Sequence, residues 1–232
     1  MLADTVKTLI QMPLKAIGYK VVRDVPYVYL HQYGSYEEYA AGQVLYNKAK
    51  LDQVWADEST LSAVAHRLRQ HHSGSVGDVK GVCHGSRNGY EVQALKRLLG
   101  VAQDGAIVGT DISDTAPDFP DMVQWDFHDP NPDFTDRFDF IYTNSLDQAW
   151  KPFAALETWL DQLNANGLLF IEHTRSHGVE GAGEMDPFGV LPEFMPYVLV
   201  EHFGHRISME IIKTTKANNN LDCWLFVLRK SN

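Results

Sequence analysis

Short apolar runs recur between residues 79 and 172, and helical patterns fill the gaps between them. Residues 79–83, 106–110, 122–125, 138–143 and 168–172 are each rich in aliphatic and aromatic side chains and short enough to be strands. Between them, residues 90–99 place Val92, Leu95 and Leu98/Leu99 on one helical face. Residues 153–163 do the same with Leu156, Leu160 and Leu163. Asn164-Ala-Asn-Gly167 reads as a helix stop with a glycine beyond it. Strands that alternate with helices imply a parallel sheet. The pattern then changes: residues 207–214 and 222–229 are strand-like and flank Ala217-Asn-Asn-Asn220, which predicts a terminal antiparallel hairpin.

Upstream of residue 79 the signals are helical. Ser35-Tyr-Glu-Glu38 matches a capping box. Tyr36, Tyr39, Ala40, Gln43, Val44 and Tyr46 follow as an imperfect stripe that runs to about Leu51. A second helix is expected over residues 59–71, burying Leu61, Val64, Ala65 and Leu68. Residues 9–14 are apolar but hold Pro13, and Pro26 interrupts the Val- and Tyr-rich stretch 19–30, which leaves short or edge strands there. Ser73-Gly-Ser-Val-Gly77 reads as a linker. The expected organisation is a helical cap over 1–76 and a main domain over 77–232. Within it, the glycine-rich 174–205 segment is a substrate loop.

Composition narrows the function. With 232 residues, 44% of them hydrophobic and 22% charged, the chain can bury a sizeable core without staples. A formal net charge of −10 argues against a nucleic-acid substrate gripped by its phosphates. Cys83 and Cys223 fall in expected strands, which favours buried thiols over a disulfide. No apolar run reaches the ~18 residues of a membrane span. The first residues lack a signal peptide's basic start and long apolar core, so a cytoplasmic protein is expected.

The candidate chemistry centres on residues 79–111, which read strand, glycine turn, helix, second strand and then Asp111. Gly85 and Gly89 bracket the turn, where backbone can approach a ligand closely. Asp111 ends the second strand, where a carboxylate can accept from two ribose hydroxyls. A phosphate-binding loop needs Gly-Lys-Ser/Thr, and a dinucleotide fingerprint needs Gly-x-Gly-x-x-Gly; this turn, Gly85-Ser-Arg-Asn-Gly89, is neither. The missing fingerprint and the terminal hairpin disfavour a nicotinamide-dependent oxidoreductase.

The turn, Asp111, Trp125-Asp126-Phe127, the run Phe138 to Asp147, and Trp159 to Glu172 occur in an order that resembles the class I S-adenosylmethionine (SAM) dependent methyltransferases. Cys83 stands at that family's acidic position in the first motif, and Arg87 at its middle glycine. The resemblance implies a Rossmann-like α/β fold with five parallel strands, the antiparallel hairpin and helices on both faces. It implies SAM as cofactor and S-adenosylhomocysteine as product. The implied cofactor pocket is His84, Gly85, Ser86, Arg87 and Gly89 at the turn, Asp111 and Ile112 at the ribose, Asp126 and Phe127 at adenine, and Asn144, Ser145 and Leu146 near the sulfonium.

Arg87 has two readings, a grip on the methionine carboxylate or an i,i+4 pair with Glu91. His173, after the fifth strand, is the expected base. Tyr39 and Gln43 are expected to close over the cofactor, with His177 on the substrate side. Glu172, His173, His177, Glu184 and Asp186 match no defined metal spacing, so no metal is expected. The expected activity is methyl transfer to a small molecule, and the alternative is a catalytically idle SAM- or nucleotide-binding module for regulation or assembly.

Overall fold

The computed structural model describes residues 26–72 and 76–231. The expectations for stretch 9–14, for the first part of 19–30 and for most of the 73–77 linker lie outside the described residues.

The chain forms β1 (Val28–Leu30), α1 (Tyr36–Ala49), α2 (Glu58–His71), β2 (Gly81–His84), α3 (Tyr90–Leu99), β3 (Ile107–Asp111), β4 (Met122–Gln124) and β5 (Phe138–Thr143). It continues with α4 (Pro152–Gln162), β6 (Leu163–Thr174), β7 (Phe188–Val190), α5 (Met195–Phe203), β8 (Ile207–Thr215) and β9 (Asp222–Lys230). Seven strands form one sheet in the order β4-β3-β2-β5-β6-β9-β8. β2 to β6 pair in parallel. β9 runs antiparallel to β6, and β8 antiparallel to β9, so β8 points with the first five. The fold is the α/β architecture expected, hairpin included.

Both faces of the sheet are covered, which is why its central strands read as unbroken apolar runs rather than alternating ones. Ile141, Leu169 and Ile171 pack with Leu156 and Trp159 of α4 and with Val198 and Leu199 of α5. The intervening Tyr142, Leu168 and Phe170 pack on the other face with Leu61, Val64 and Leu68 of α2 and with Val92 and Leu95 of α3. α2 is thus part of the main core, whereas β1 pairs with β7.

Asn164-Ala-Asn-Gly167 stops α4 as expected, at Gln162; β6 starts at Leu163, and the four residues bulge out of its pairing with β5, Phe138 lying opposite Leu163 but Phe140 opposite Leu168. Gly167 is needed for close approach, since a Cβ there would lie 2.7 Å from the Phe138 carbonyl oxygen. At α1, Ser35 caps as expected by accepting from the Glu38 N–H at 3.2 Å. The Glu38 carboxylate, however, reaches the N–H of Gly34 at 2.7 Å instead of that of Ser35, so the box is shifted by one residue.

The substrate-loop region is more structured than its glycine content suggested. β7 pairs antiparallel with β1 as a small separate ribbon, and α5 follows. No helix among the described residues is long and apolar enough to cross a membrane.

Candidate active site

The carboxyl ends of β2, β3 and β5 open onto a cleft, the position where open α/β sheets bind ligands. The cleft has a narrow lobe of about 30 Å³ and a wide lobe of about 260 Å³. Lys50, Gly85, Arg87 and Gln148 line both lobes and join them.

The turn after β2 sets the floor. Gly85 has φ +69°, and a Cβ added to it would sit 2.5 Å from the Ser145 side chain, so the backbone passes where no side chain fits. Gly89, at φ 73°, caps α3 without a side chain. Arg87 also takes a left-handed conformation, φ 45°, at a cost of about 1–2 kcal/mol for a residue with a Cβ. That explains how arginine stands at a position the resembled family fills with glycine. The Arg87 N–H donates to Asp111 Oδ2 at 3.0 Å, and its guanidinium donates to the Gln53 carbonyl at 3.1 Å. The Arg87–Glu91 pair is not formed. Glu91 is buried and instead accepts from Ser86 Oγ at 2.7 Å and Asn144 Nδ2 at 3.3 Å.

The narrow lobe gathers Tyr39, Gln43, Asp111, Ile112, Asp126 and Phe127, all read from the sequence, with Tyr46, Asn47 and Met185 added. Asp111 Oδ1 accepts from the Ser113 N–H at 2.9 Å and Oδ2 from Arg87. Burial raises its pKa, and these two backbone donors pull the other way. Asp126 holds the His128 N–H and ring on Oδ1 and the Tyr36 hydroxyl on Oδ2 at 2.7 Å.

α1 lies over this lobe because its buried stripe, Tyr39, Gln43 and Asn47, repeats every four residues. Gln43 Nε2 donates to the Met185 carbonyl at 2.9 Å, which ties α1 to the loop before β7. Tyr39 stacks on Trp150 at 5.7 Å. Asn47 was missed in the sequence, although one further i+4 step from Gln43 reaches it.

The wide lobe takes in Gly85, Ser86, Arg87, Asn144, Ser145 and His177 of the expected set, and adds Trp55, Asn88, Glu91, Asp147, Ser176 and Asp186. Other expected residues line neither lobe. His84 lies under the turn, stacked on Trp159, with Thr110 Oγ1 and Gln162 Oε1 each 2.8 Å from its ring nitrogens. Burial pushes its pKa down to about 4, so it is neutral. Leu146 is core, and Gly89 sits behind the turn against Met122. His173 is buried with Nε2 donating to the Val190 carbonyl at 2.8 Å, and burial pushes its pKa down to about 3. It holds β7 on the sheet and faces neither lobe, so it is not placed as the expected base.

No protein-family model matches the chain, and no curated protein matches it in sequence. Solved structures do match. A Burkholderia thailandensis 1,6-didemethyltoxoflavin-N1-methyltransferase, solved with 1,6-didemethyltoxoflavin and S-adenosylhomocysteine bound, is similar at TM-score 0.61 over 90% of this chain and 94% of its own, with 15% identity. The plantazolicin methyltransferase BpumL, solved with a triazolic desmethylPZN analog and S-adenosylhomocysteine, is similar at TM-score 0.62 over 84% of this chain and 98% of its own, with 10% identity. The chain has the class I SAM-dependent methyltransferase fold. The [4+2]-cyclase SpnF is also similar, at TM-score 0.52 over 73% of this chain and 80% of its own, with 14% identity. The methyltransferase fold therefore does not by itself fix a reaction.

Proposed function

We propose that the chain transfers a methyl group from SAM to a small-molecule acceptor. One observation carries the reading. Asp111 ends β3 with both carboxylate oxygens anchored by one backbone N–H each, which leaves a further lone pair on each for a pair of ribose hydroxyls. The donor set fits the rest of SAM. Asp126 Oδ2 suits the adenine amino group. The Gly85 turn passes where a side chain would obstruct. Glu91, beside the buried Cys83, supplies the carboxylate for the amino group that the cysteine does not. Arg87 is the cation for the carboxyl end.

SAM supplies an already activated methyl on a sulfonium, so the chain's own task is to align an acceptor and exclude water. The narrow lobe of about 30 Å³ holds a water or two rather than a nucleoside. Loading therefore needs α1 to move away, after which Tyr39 and Gln43 close over the ligand. The net charge of −10 and the polar wide lobe fit a small cytoplasmic metabolite rather than a nucleic acid.

The test is calorimetric titration of SAM, S-adenosylhomocysteine and NADH into the wild type and Asp111→Ala. We expect the first two to bind, NADH to fail, and the variant to lose about 100-fold, since hydrogen bonds to a charged group contribute about 1.5–3 kcal/mol each. A second reading, an idle SAM-binding module, draws on Cys83 and Arg87 in the first motif. Binding of S-adenosylhomocysteine with no turnover of any acceptor is its signature.

A further inference from the structure

Asp186 stands on the wall of the wide lobe, half-buried, in the loop before β7. The backbone around it is tied on every side. The Met185 carbonyl accepts from Gln43 Nε2 at 2.9 Å. The Pro187 carbonyl accepts from the His31 N–H at 2.7 Å, and the Asp186 carbonyl from the Gly183 N–H at 2.9 Å. The Asp186 side chain is not tied: among the described residues it makes no hydrogen bond and no ion pair. A carboxylate that does nothing for the fold, carried on a tethered loop, is a preorganised acceptor for a ligand.

Lys50, just after α1, lines the same lobe and is also half-buried. Its Nζ lies 2.6 Å from Met185 Sδ, and a thioether is a weak acceptor for an ammonium with three donors. No nitrogen of Lys50 or Arg87 comes within 4.0 Å of an Asp186 oxygen. The groups still act on one another. Burial raises the Asp186 pKa to about 6, Asp147 adds to the rise, and Lys50 and Arg87 oppose it. The carboxylate thus shares one space with three residues that all line the lobe. Arg87 already donates to the Lys50 and Gln53 carbonyls, and with Glu91 it is assigned to the methionine end of SAM. That leaves one cation and one anion held apart in the same cleft. A ligand with a single charge would meet one and leave the other unpaired, which costs affinity in a partly desolvated site. A ligand with both charges meets both.

We propose that the wide lobe binds a zwitterionic acceptor, one that carries an ammonium and a carboxylate as amino acids do, with the ammonium on Asp186 and the carboxylate on Lys50. This rests on the SAM reading above and names the acceptor class for the same cleft. Asp186 and Lys50 determine specificity. Each contributes a charge-assisted hydrogen bond, and together they fix the direction in which the acceptor lies.

The test is NMR titration of the full chain saturated with S-adenosylhomocysteine. Glycine, β-alanine and γ-aminobutyrate are the zwitterionic probes, and propylamine and butyrate are the singly charged controls. At least one zwitterion is expected to bind about tenfold more tightly than either control. Asp186→Asn should lower the affinity for that zwitterion and for propylamine about tenfold and leave butyrate unchanged. Lys50→Met should lower zwitterion and butyrate affinity by about as much and leave propylamine unchanged. S-adenosylhomocysteine affinity should stay within about twofold in both variants, which also shows that they fold. No zwitterion binding, binding no tighter than the controls, or affinities unchanged in either variant overturns the proposal and leaves the SAM reading intact. A loss of about tenfold in S-adenosylhomocysteine affinity in both variants also overturns it, by assigning the pair to the cofactor's own amino-acid end. Failure of the wild type to bind S-adenosylhomocysteine overturns both.

Discussion

Asp111 and Asp147 are both more than nine-tenths buried; Asp111 ends β3, and Asp147 lies in the turn after β5. They are held differently. Each oxygen of Asp111 takes a backbone N–H, whereas Asp147 leaves Oδ1 with none. The first arrangement fixes a carboxylate as a rigid acceptor for a ligand's hydroxyls. The second leaves a carboxyl desolvated, and burial pushes its pKa up to about 7. One sheet end thus holds the same side chain in two ways, and local donors decide which.

Glu172 is the reference for a buried acid with a full set of partners, and it should give the largest effect. It takes Lys216 Nζ at 2.6 Å and the Tyr142 hydroxyl at 2.6 Å, and both ion-pair side chains are 0% exposed. Lys216→Met strands the carboxylate and should cost about 3–5 kcal/mol in denaturant unfolding, with much of the loss recovered when Glu172→Gln is added.

Asp147→Asn should do the opposite. The folded-state pKa of Asp147 is raised, from 3.8 to about 7. As pH rises through that range the native state must bury a charge that the unfolded chain carries freely, so the acid destabilises the fold at high pH. The variant should be more stable by about 4 kcal/mol at pH 8, with the gain shrinking below pH 7 and gone by pH 4.

Tyr36→Phe sharpens the comparison at the cover. Its hydroxyl donates to Asp126 Oδ2 at 2.7 Å, tying α1 to the narrow lobe. Losing that bond should destabilise closure by about 1 kcal/mol, read as about fivefold faster hydrogen exchange of the α1 amides. The wide lobe should be unaffected.

The fold was legible because covered strands are apolar runs and their order in the chain restricts the topology. Asp111 was legible for the same reason: it ends such a run. Residues whose role depends on orientation were not. His84 and His173 sit at strand ends like Asp111, yet their rings turn into the interior to reach Gln162 and the Val190 carbonyl, and a sequence does not say which way a strand's last side chain faces. Asn164-Ala-Asn-Gly167 was legible as the end of α4, but the bulge it makes against β5, with Gly167 beside the Phe138 carbonyl oxygen, was not. Trp55 lies between two helices with no periodicity around it. Asp147 lies in a run whose polar residues all look alike until one is found without a partner.

The most direct test of the account compares the two acids in one assay: calorimetric titration of S-adenosylhomocysteine into the wild type, Asp111→Ala and Asp147→Asn. The account predicts binding to the wild type, a loss of about 100-fold in Asp111→Ala and a change within about twofold in Asp147→Asn. No binding by the wild type, or equal losses in the two variants, would contradict it.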